Sequence, residues 1–358
     1  MLLFRIKCEE RLCKRILSKK RETMSTRAVQ GIDMSMDDFQ VCMQQVMEDN
    51  RVVIKGSRKF SNTQKGYEEF LSWEARKLKT EMPVVYVMEA TGVYYENLAV
   101  YLHEKGKFVC VELANKTRHF AQSHNLKTKT DKVDAKTLAM YGVERRLEQW
   151  EPMSPQYKEL RDVCREKLSI QKELNRAKNQ LHAMSHSNNT SEHVKNFKDK
   201  QIEFYDQAIL ELKKEIRRLV KMDPELERKL NIVQTIPGVG LDLAVVLACE
   251  TNGFKLIKNI RQLVSYAGLD VEFKQSGLYN GKTRITKKGN ARIRQALYMP
   301  ALAAIQWNKP IKQLNERVCE RNPTMKKKGV VAAMRKLLIL TYTLWKKEEE
   351  FDTEYQWI

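Results

Sequence analysis

The sequence predicts an α/β domain followed by a helical heptad hairpin and then a mainly α-helical domain, and three patterns predict it. Strand-like and helix-like stretches alternate from Val29 to about Val111. Apolar residues recur at heptad spacing from Leu160 onward. Helical patterning resumes at about Asn231 and is interrupted once.

In the first stretch, VQGIDMSMDDFQVCMQ and RVVIKGSRKF read as strands, GYEEFLSWEARKLK as a helix and VVYVMEA as a buried strand. YYENLAVYLHEKG then reads as a helix and KFVCVEL as another strand. Strands first and βαβ units after them imply a mixed sheet with helices packed on it. After WEPMSP at 150–155 the pattern changes. Leu160, Lys167, Leu174 and Leu181 recur every seven residues, and Val163, Ile170, Ala177 and Met184 fill the complementary sites, so Lys167 is the one polar member of the seam. SHSNNTSEH breaks this helix, and Ile202, Tyr205, Ile209, Leu212, Ile216 and Leu219 mark a second. Such a hairpin pairs its stripes within the chain or with another copy. TIPGVGLDLAVVLACE has the form of a helix-hairpin-helix, and GLDVEFKQSGLYNGKTRITKKGN reads as a short hairpin set between helices. The expected divisions are a basic extension at 1–27, the sheet domain at 28–150, the helical hairpin at 151–228, a further domain at 229–345 and a tail at 346–358.

Charge narrows the partners. The 65 Lys and Arg against 45 Asp and Glu give a formal charge of +20, which favours a polyanion, because neutralising phosphates releases condensed counterions. The excess is uneven: residues 31–150 carry eighteen basic and seventeen acidic groups, whereas residues 231–358 are strongly basic. Carboxylates are thus gathered in the first domain while polyanion binding falls elsewhere. Seven scattered cysteines without a C-x-x-C pair point to a reducing compartment and away from a zinc site or disulfide scaffold. No apolar run approaches the ~20 residues of a membrane span. The opening MLLFRIKCEERLCKRILSKKRETM is too charged for a secretory signal and reads as a mobile basic arm, or as upstream sequence ahead of a start at Met24.

KTKTDKVDAKTLAMYG places Asp131 and Asp134 one helical turn apart, so in a helix both carboxylates share a face and repel unless a cation lies between them. Asp33 in GIDMS lies late in the first strand, and Glu89 in VVYVMEATG ends a strand at a glycine turn. Ligands gather at such carboxyl ends in open α/β sheets. Four carboxylates from three elements have the chemistry of an oxygen-coordinated Mg²⁺ pair for phosphoryl transfer. Each also has an ordinary reading: Asp33 as a turn cap, Glu89 as a surface partner of a lysine, Asp131 and Asp134 as helix pairs of Lys132 or Lys136.

GIDMSMDDFQVCM, MEATGVYYENLAVYL and KTKTDKVDAKTLAMYG together resemble the three blocks of the DEDD-type domain of the IS110-type insertion-sequence transposases, relatives of the Piv DNA invertases. The resemblance implies a ribonuclease-H-like (RuvC-like) mixed sheet in which Asp33, Glu89, Asp131 and Asp134 bind Mg²⁺ or Mn²⁺ and are catalytic. Met36 departs from the pattern, in which many members carry a lysine. SYAGLDVEFKQSGLYNGKTRITKKGNARIRQALYMPA is similar to the second domain of the same family, whose serine becomes joined to DNA phosphate, a role that falls on Ser276. By composition alone, Ser276-Gly277 reads as a turn.

Residues assigned to nucleic-acid contact are Lys127 and Lys129, the turn glycines Gly238 and Gly240, and the basic run Lys282, Arg284, Lys287, Lys288, Arg292 and Arg294, with Tyr279 and Tyr298 beside it. The resemblance further implies donor and target DNA and a structured bridge RNA as partners, a homo-oligomer (dimer or tetramer), no membrane, and a prokaryotic cytoplasmic, nucleoid-associated location. Metal and serine would meet at one scissile phosphate, within a subunit or across a dimer. The rival readings are a metal-dependent nuclease or junction resolvase in which water attacks, and a non-catalytic nucleic-acid-binding remnant.

Overall fold

A computed structural model describes residues 26–352 apart from 79, 127, 129, 274, 278 and 282. The expected basic arm, the tail beyond residue 352 and the candidate contacts Lys127, Lys129 and Lys282 lie outside the described residues. The chain divides into two compact units, 1–152 and 153–358.

Unit 1 is built on a five-stranded sheet of order β3-β2-β1-β4-β5, formed by β1 (Arg27–Met34), β2 (Asp38–Val46), β3 (Val52–Ser61), β4 (Val84–Glu89) and β5 (Phe108–Glu112). The first three strands are antiparallel neighbours, and β4 and β5 run parallel to β1, so the sheet is mixed. VQGIDMSMDDFQVCMQ is two strands rather than one: the chain reverses after Met34, where the Ser35 amide and hydroxyl both donate to the Asp38 carbonyl. Alternation along the strands sorts the side chains by face. Ile32, Phe39, Val41, Tyr86 and Met88 point to one face and are covered by α1 (Gln64–Lys77) and α2 (Glu96–Glu104) through Phe70, Trp73, Leu98 and Leu102. Val29 and Val87 point to the other, covered by Phe120 of α3 (Ala114–Ser123) and by Leu138 and Tyr141 of α4 (Asp131–Glu144). Within the first face the buried Glu74 accepts from Gln30 Nε2 at 3.0 Å and Tyr86 OH at 2.7 Å, so this carboxylate is not an orphan.

α4 lies against β1 with no side chain between them. A Cβ built on Gly31 would stand 2.1 Å from the Ala135 carbonyl oxygen and 2.2 Å from the Ala139 nitrogen. Ala135, Leu138, Ala139 and Gly142 form the sheet-facing stripe of α4, and Asp131 and Asp134 extend that stripe into its first turn.

Unit 2 is mainly helical. α5 (Pro155–Ser185) and α6 (Glu192–Lys221) form the expected hairpin, and they pack on each other within the chain. Leu160, Cys164, Ile216 and Leu219 belong to the large apolar core at its base, and Leu174, Ala177 and Ile209 are buried further along it. Lys167 is buried in that seam and its ammonium reaches Asp242 at 2.7 Å, so the one polar heptad site is paired. α7 (Pro224–Gln234), α8 (Leu241–Glu250), α9 (Ile260–Tyr266), α10 (Ala291–Trp307), α11 (Lys309–Glu320) and α12 (Lys327–Lys347) complete the unit around one large apolar core. The expected hairpin between helices is a two-tier ribbon. Its base pairs β6 (Val271–Glu272) with β9 (Arg284–Ile285), and its tip pairs β7 (Gln275–Ser276) with β8 (Tyr279–Asn280).

Cys42, Cys110, Cys164, Cys249 and Cys319 are free thiols. Burial pushes Cys42 up, and burial with the nearby Glu112 pushes Cys110 up to about 12, so neither is a ready thiolate. Among the described residues no helix is long and apolar enough to cross a membrane.

Candidate functional site

In unit 1 the parallel pairing of Ile32 with Met88 puts Asp33 and Glu89 one step further on, side by side at the carboxyl ends of β1 and β4. By alternation both share the α4 face with Gly31 and Val87. The close seat of α4 brings its first turn over these strand ends. As a result Asp33, Glu89, Asp131 and Asp134 all line one cavity of about 790 Å³, together with Asp38, Gln40, Thr91 and Thr117. Asp33, Glu89 and Asp134 are half-buried, while Asp131 is exposed. Thr130 caps α4 by accepting from the Val133 amide, and the positive end of the helix favours both acids of that turn.

Glu89 is held at both oxygens. The Thr91 hydroxyl donates to Oε1 at 2.7 Å, and the Thr117 hydroxyl donates to Oε2. Asp38 was not among the sequence candidates. The Lys59 ammonium 2.8 Å away holds its carboxyl below the usual range against the opposing effect of burial, with help from the Ser35 hydroxyl at 2.9 Å. Its signal was the doubled acid in SMDDF, two residues into which the β1–β2 turn also falls. Thr91 and Thr117 carried no signal of their own, since a threonine in a glycine turn and one in a polar helix are ordinary residues.

The donor set is entirely oxygen, which suits a hard divalent cation. Among the described residues no three His, Cys, Asp or Glu side chains stand close enough to form a ready metal cluster. The acids ring the cavity rather than converge on a point. Mg²⁺ tolerates this, because it takes one or two carboxylates and fills its other positions with water and substrate phosphate oxygens.

In unit 2, Ser276 is exposed at the tip of the ribbon, paired with Tyr279 and followed by Gly277 at φ +54°. Behind the ribbon, residues 286–290 form a strap across the end of α9. A Cβ on Gly289 would meet the Tyr266 carbonyl oxygen at 2.5 Å, and one on Gly268 would meet Lys287 backbone at 2.9 Å. Lys287, Lys288 and Arg292 are exposed, as is Arg284, which reaches Glu272 at 3.3 Å. Arg294 is engaged differently: its guanidinium donates to the carbonyls of Ala267 and Gly289, so it braces the strap. The turn glycines also part. Gly238, at φ +100°, is pressed against Ala304 of α10, where a Cβ would come within 2.6 Å, whereas Gly240 is exposed at the start of α8.

Sequence reasoning missed the anchor of the strap. Asn290 caps α10 with its Oδ1 and donates through Nδ2 to Glu250 at 2.7 Å, and the Arg165 guanidinium of α5 grips the same carboxylate at 2.8 and 2.9 Å. Burial pushes Glu250 up, but the hydrogen bonds from Arg165 and Asn290 outweigh it and hold the carboxyl below its usual range. A depressed carboxyl stabilises the fold above its unfolded pKa and loses that contribution as pH falls through the folded value. Unit 2 therefore melts at lower temperature as the solution is acidified through and below the ordinary glutamate range. In Glu250→Gln that contribution is absent, and the variant is destabilised at neutral pH by ~2 kcal/mol because the charge-assisted hydrogen bonds from Arg165 are weakened. Melting curves across pH, followed by circular dichroism, measure both.

Comparison with known proteins matches both halves. A family model described as a transposase, of the DEDD type, matches residues 30–185, and one described as "Transposase IS116/IS110/IS902 family" matches residues 230–316. The pilin gene-inverting proteins of Moraxella bovis and Moraxella lacunata are each 28% identical over 294 residues, which is 82% of this chain and 89% of theirs. A solved Ppx/GppA family member from Aquifex aeolicus aligns over 91% of this chain and 92% of its own at 10% identity, with a TM-score of 0.21 that is too low to bear on the fold.

Proposed function

Because the chain belongs to the IS116/IS110/IS902 family of transposases and is by that membership a DNA recombinase, we propose that it exchanges DNA strands through a serine-linked intermediate, with a divalent cation held in the acid-lined cavity of unit 1. The observation that carries this is the gathering of Asp33, Glu89, Asp131 and Asp134, from three separate blocks of sequence, around one cavity at the carboxyl ends of β1 and β4. A mixed sheet with antiparallel strands first and acids at the ends of β1 and β4 supports a ribonuclease-H-like, RuvC-like reading of that unit. These four residues would hold Mg²⁺ or Mn²⁺, which when bound supplies Lewis acidity to a phosphoryl oxygen.

Ser276 is the nucleophile in this reading. Its oxygen attacks the DNA phosphorus, and its proton ends on the departing DNA oxygen. The phosphorus–oxygen bond to one DNA end then breaks, so that the phosphate becomes esterified to the serine and that end departs with a hydroxyl. Attack by a hydroxyl of another DNA end restores a phosphodiester and frees the serine. Bonds are exchanged rather than hydrolysed, so no nucleotide cofactor is required. The exposed position of Ser276 at a ribbon tip gives a DNA backbone access to it. Arg284, Lys287, Lys288 and Arg292 grip phosphate, the exposed backbone at Gly240 adds a contact, and neither kind of contact reads sequence. Sequence choice falls to a bridge RNA that pairs with donor and target DNA, and the protein acts as a homo-oligomer. The relatives named for inverting a pilin gene support site-specific recombination as the reaction type.

The test is incubation with element-end DNA and the element's RNA. Wild type yields a protein–DNA adduct that maps to residue 276, and Ser276→Ala yields none and recombines nothing while still binding DNA. Cleavage that persists in Ser276→Ala assigns the attack to water and makes the protein a metal nuclease. Full-rate recombination after ribonuclease treatment removes the RNA from the scheme.

A further inference from the structure

We propose that Thr117, assisted by Thr91, is a positioning residue that fixes the Glu89 carboxylate in its cation-holding orientation before any cation arrives; this rests on the cation reading of the cavity. A glutamate at a strand end has three side-chain torsions to settle, and ordering them at the moment of binding weakens affinity. Here both oxygens are already engaged, Oε1 by Thr91 and Oε2 by Thr117. Each hydroxyl supplies one donor, so each carboxylate oxygen keeps acceptor capacity for a cation.

Thr117 suits this task better than a surface hydroxyl would. It is only 4% exposed, so water does not compete for its proton. Its Oγ1 also lies 3.0 Å from the Ala114 carbonyl of the same helix, an alternative acceptor for its single proton. A β-branched side chain in a helix has few χ1 options, so the oxygen is held by α3 itself. A hydroxyl needed only to satisfy its own burial would be content with Ala114. The shorter contact is instead with a side chain of another element, 28 residues distant in sequence, that lines the acid cavity, so the proton is given there.

Partners of this kind that orient a metal ligand are worth about 10- to 100-fold in metal affinity. The experiment titrates the full-length protein with Mn²⁺ alone, follows bound ion by electron paramagnetic resonance, and compares wild type with Asp134→Asn, Thr117→Val, Thr117→Ser and Thr91→Ala. The expected result is a site that Asp134→Asn removes, that Thr117→Val weakens at least ~10-fold, and that Thr117→Ser restores toward wild type. Should the valine variant not fold, exposed Thr91 carries the test, since Thr91→Ala leaves the fold in place and weakens the same site. Wild-type Mn²⁺ affinity in Thr117→Val and Thr91→Ala, with the site still lost in Asp134→Asn, overturns this inference and leaves the cation reading standing. Absence of any Mn²⁺ site sensitive to Asp134 overturns the cation reading, and this inference with it.

Discussion

Asp134→Asn lowers strand exchange by about 10³-fold, the size of effect expected when several kcal/mol of charge stabilisation is removed from a phosphoryl-transfer transition state. The substitution keeps the shape of the side chain and removes its charge. Asp134 stands half-buried in the first turn of α4, on the stripe that Ala135, Leu138, Ala139 and Gly142 press onto the sheet. None of those packing residues changes, so the melting temperature and DNA affinity stay near wild type while recombination is lost. Asp37 provides the control. It is an exposed acid in the β1–β2 turn, close in sequence to Asp33 but not among the residues that line the cavity, and Asp37→Asn retains activity. A plasmid recombination assay on the three proteins decides the matter, and wild-type rates in Asp134→Asn would remove the acid cavity from the chemistry.

Gly31→Val collapses unit 1. The added Cβ alone falls 2.1 Å from the Ala135 carbonyl oxygen and 2.2 Å from the Ala139 nitrogen, and both are backbone atoms of a packed helix that cannot rotate aside. Either α4 lifts off β1 or β1 bends out of register with β2 and β4. Overpacking of this kind costs ~3 kcal/mol or more, enough to leave a marginally stable domain largely unfolded at 37 °C. Proteolysis under native conditions and thermal melting report it. Gly106→Ala is the comparison: it sits at φ +69° with open space about its Cβ, so backbone strain acts there without a clash and the loss is smaller.

Several features of this fold were legible because their causes are local. Asp131 and Asp134 are one helical turn apart, so the two carboxylates could be placed on one face from sequence alone. Heptad recurrence gave the α5–α6 hairpin, and the paired Lys167 explains why one seam site is polar. What escaped notice depends on contacts distant in sequence. VQGIDMSMDDFQVCMQ hides a reversal that the Ser35–Asp38 bonds create, and apolar residues on both sides of the turn mask it. Gly31 looks like any strand residue until Ala135 of α4 arrives 104 positions later. At Gly238 the packing reason for a glycine was not legible, because Ala304, which occupies the space its missing side chain leaves, lies 66 positions further on. Glu250, Arg165 and Asn290 come from three helices or their ends, and no short motif joins them.

The direct seat of α4 on β1 has a further implication for how such a chain can change over generations. The spacing between the helix and the strand is set by main-chain dimensions, not by the bulk of intervening residues. Mutations that reshape the aromatic layer on the opposite side of the sheet, among Phe39, Phe60, Phe70 and Trp73, therefore leave the distances among the four acids untouched. Gly31, by contrast, cannot be enlarged without moving Ala135 and Ala139, and with them the two acids of the same helix.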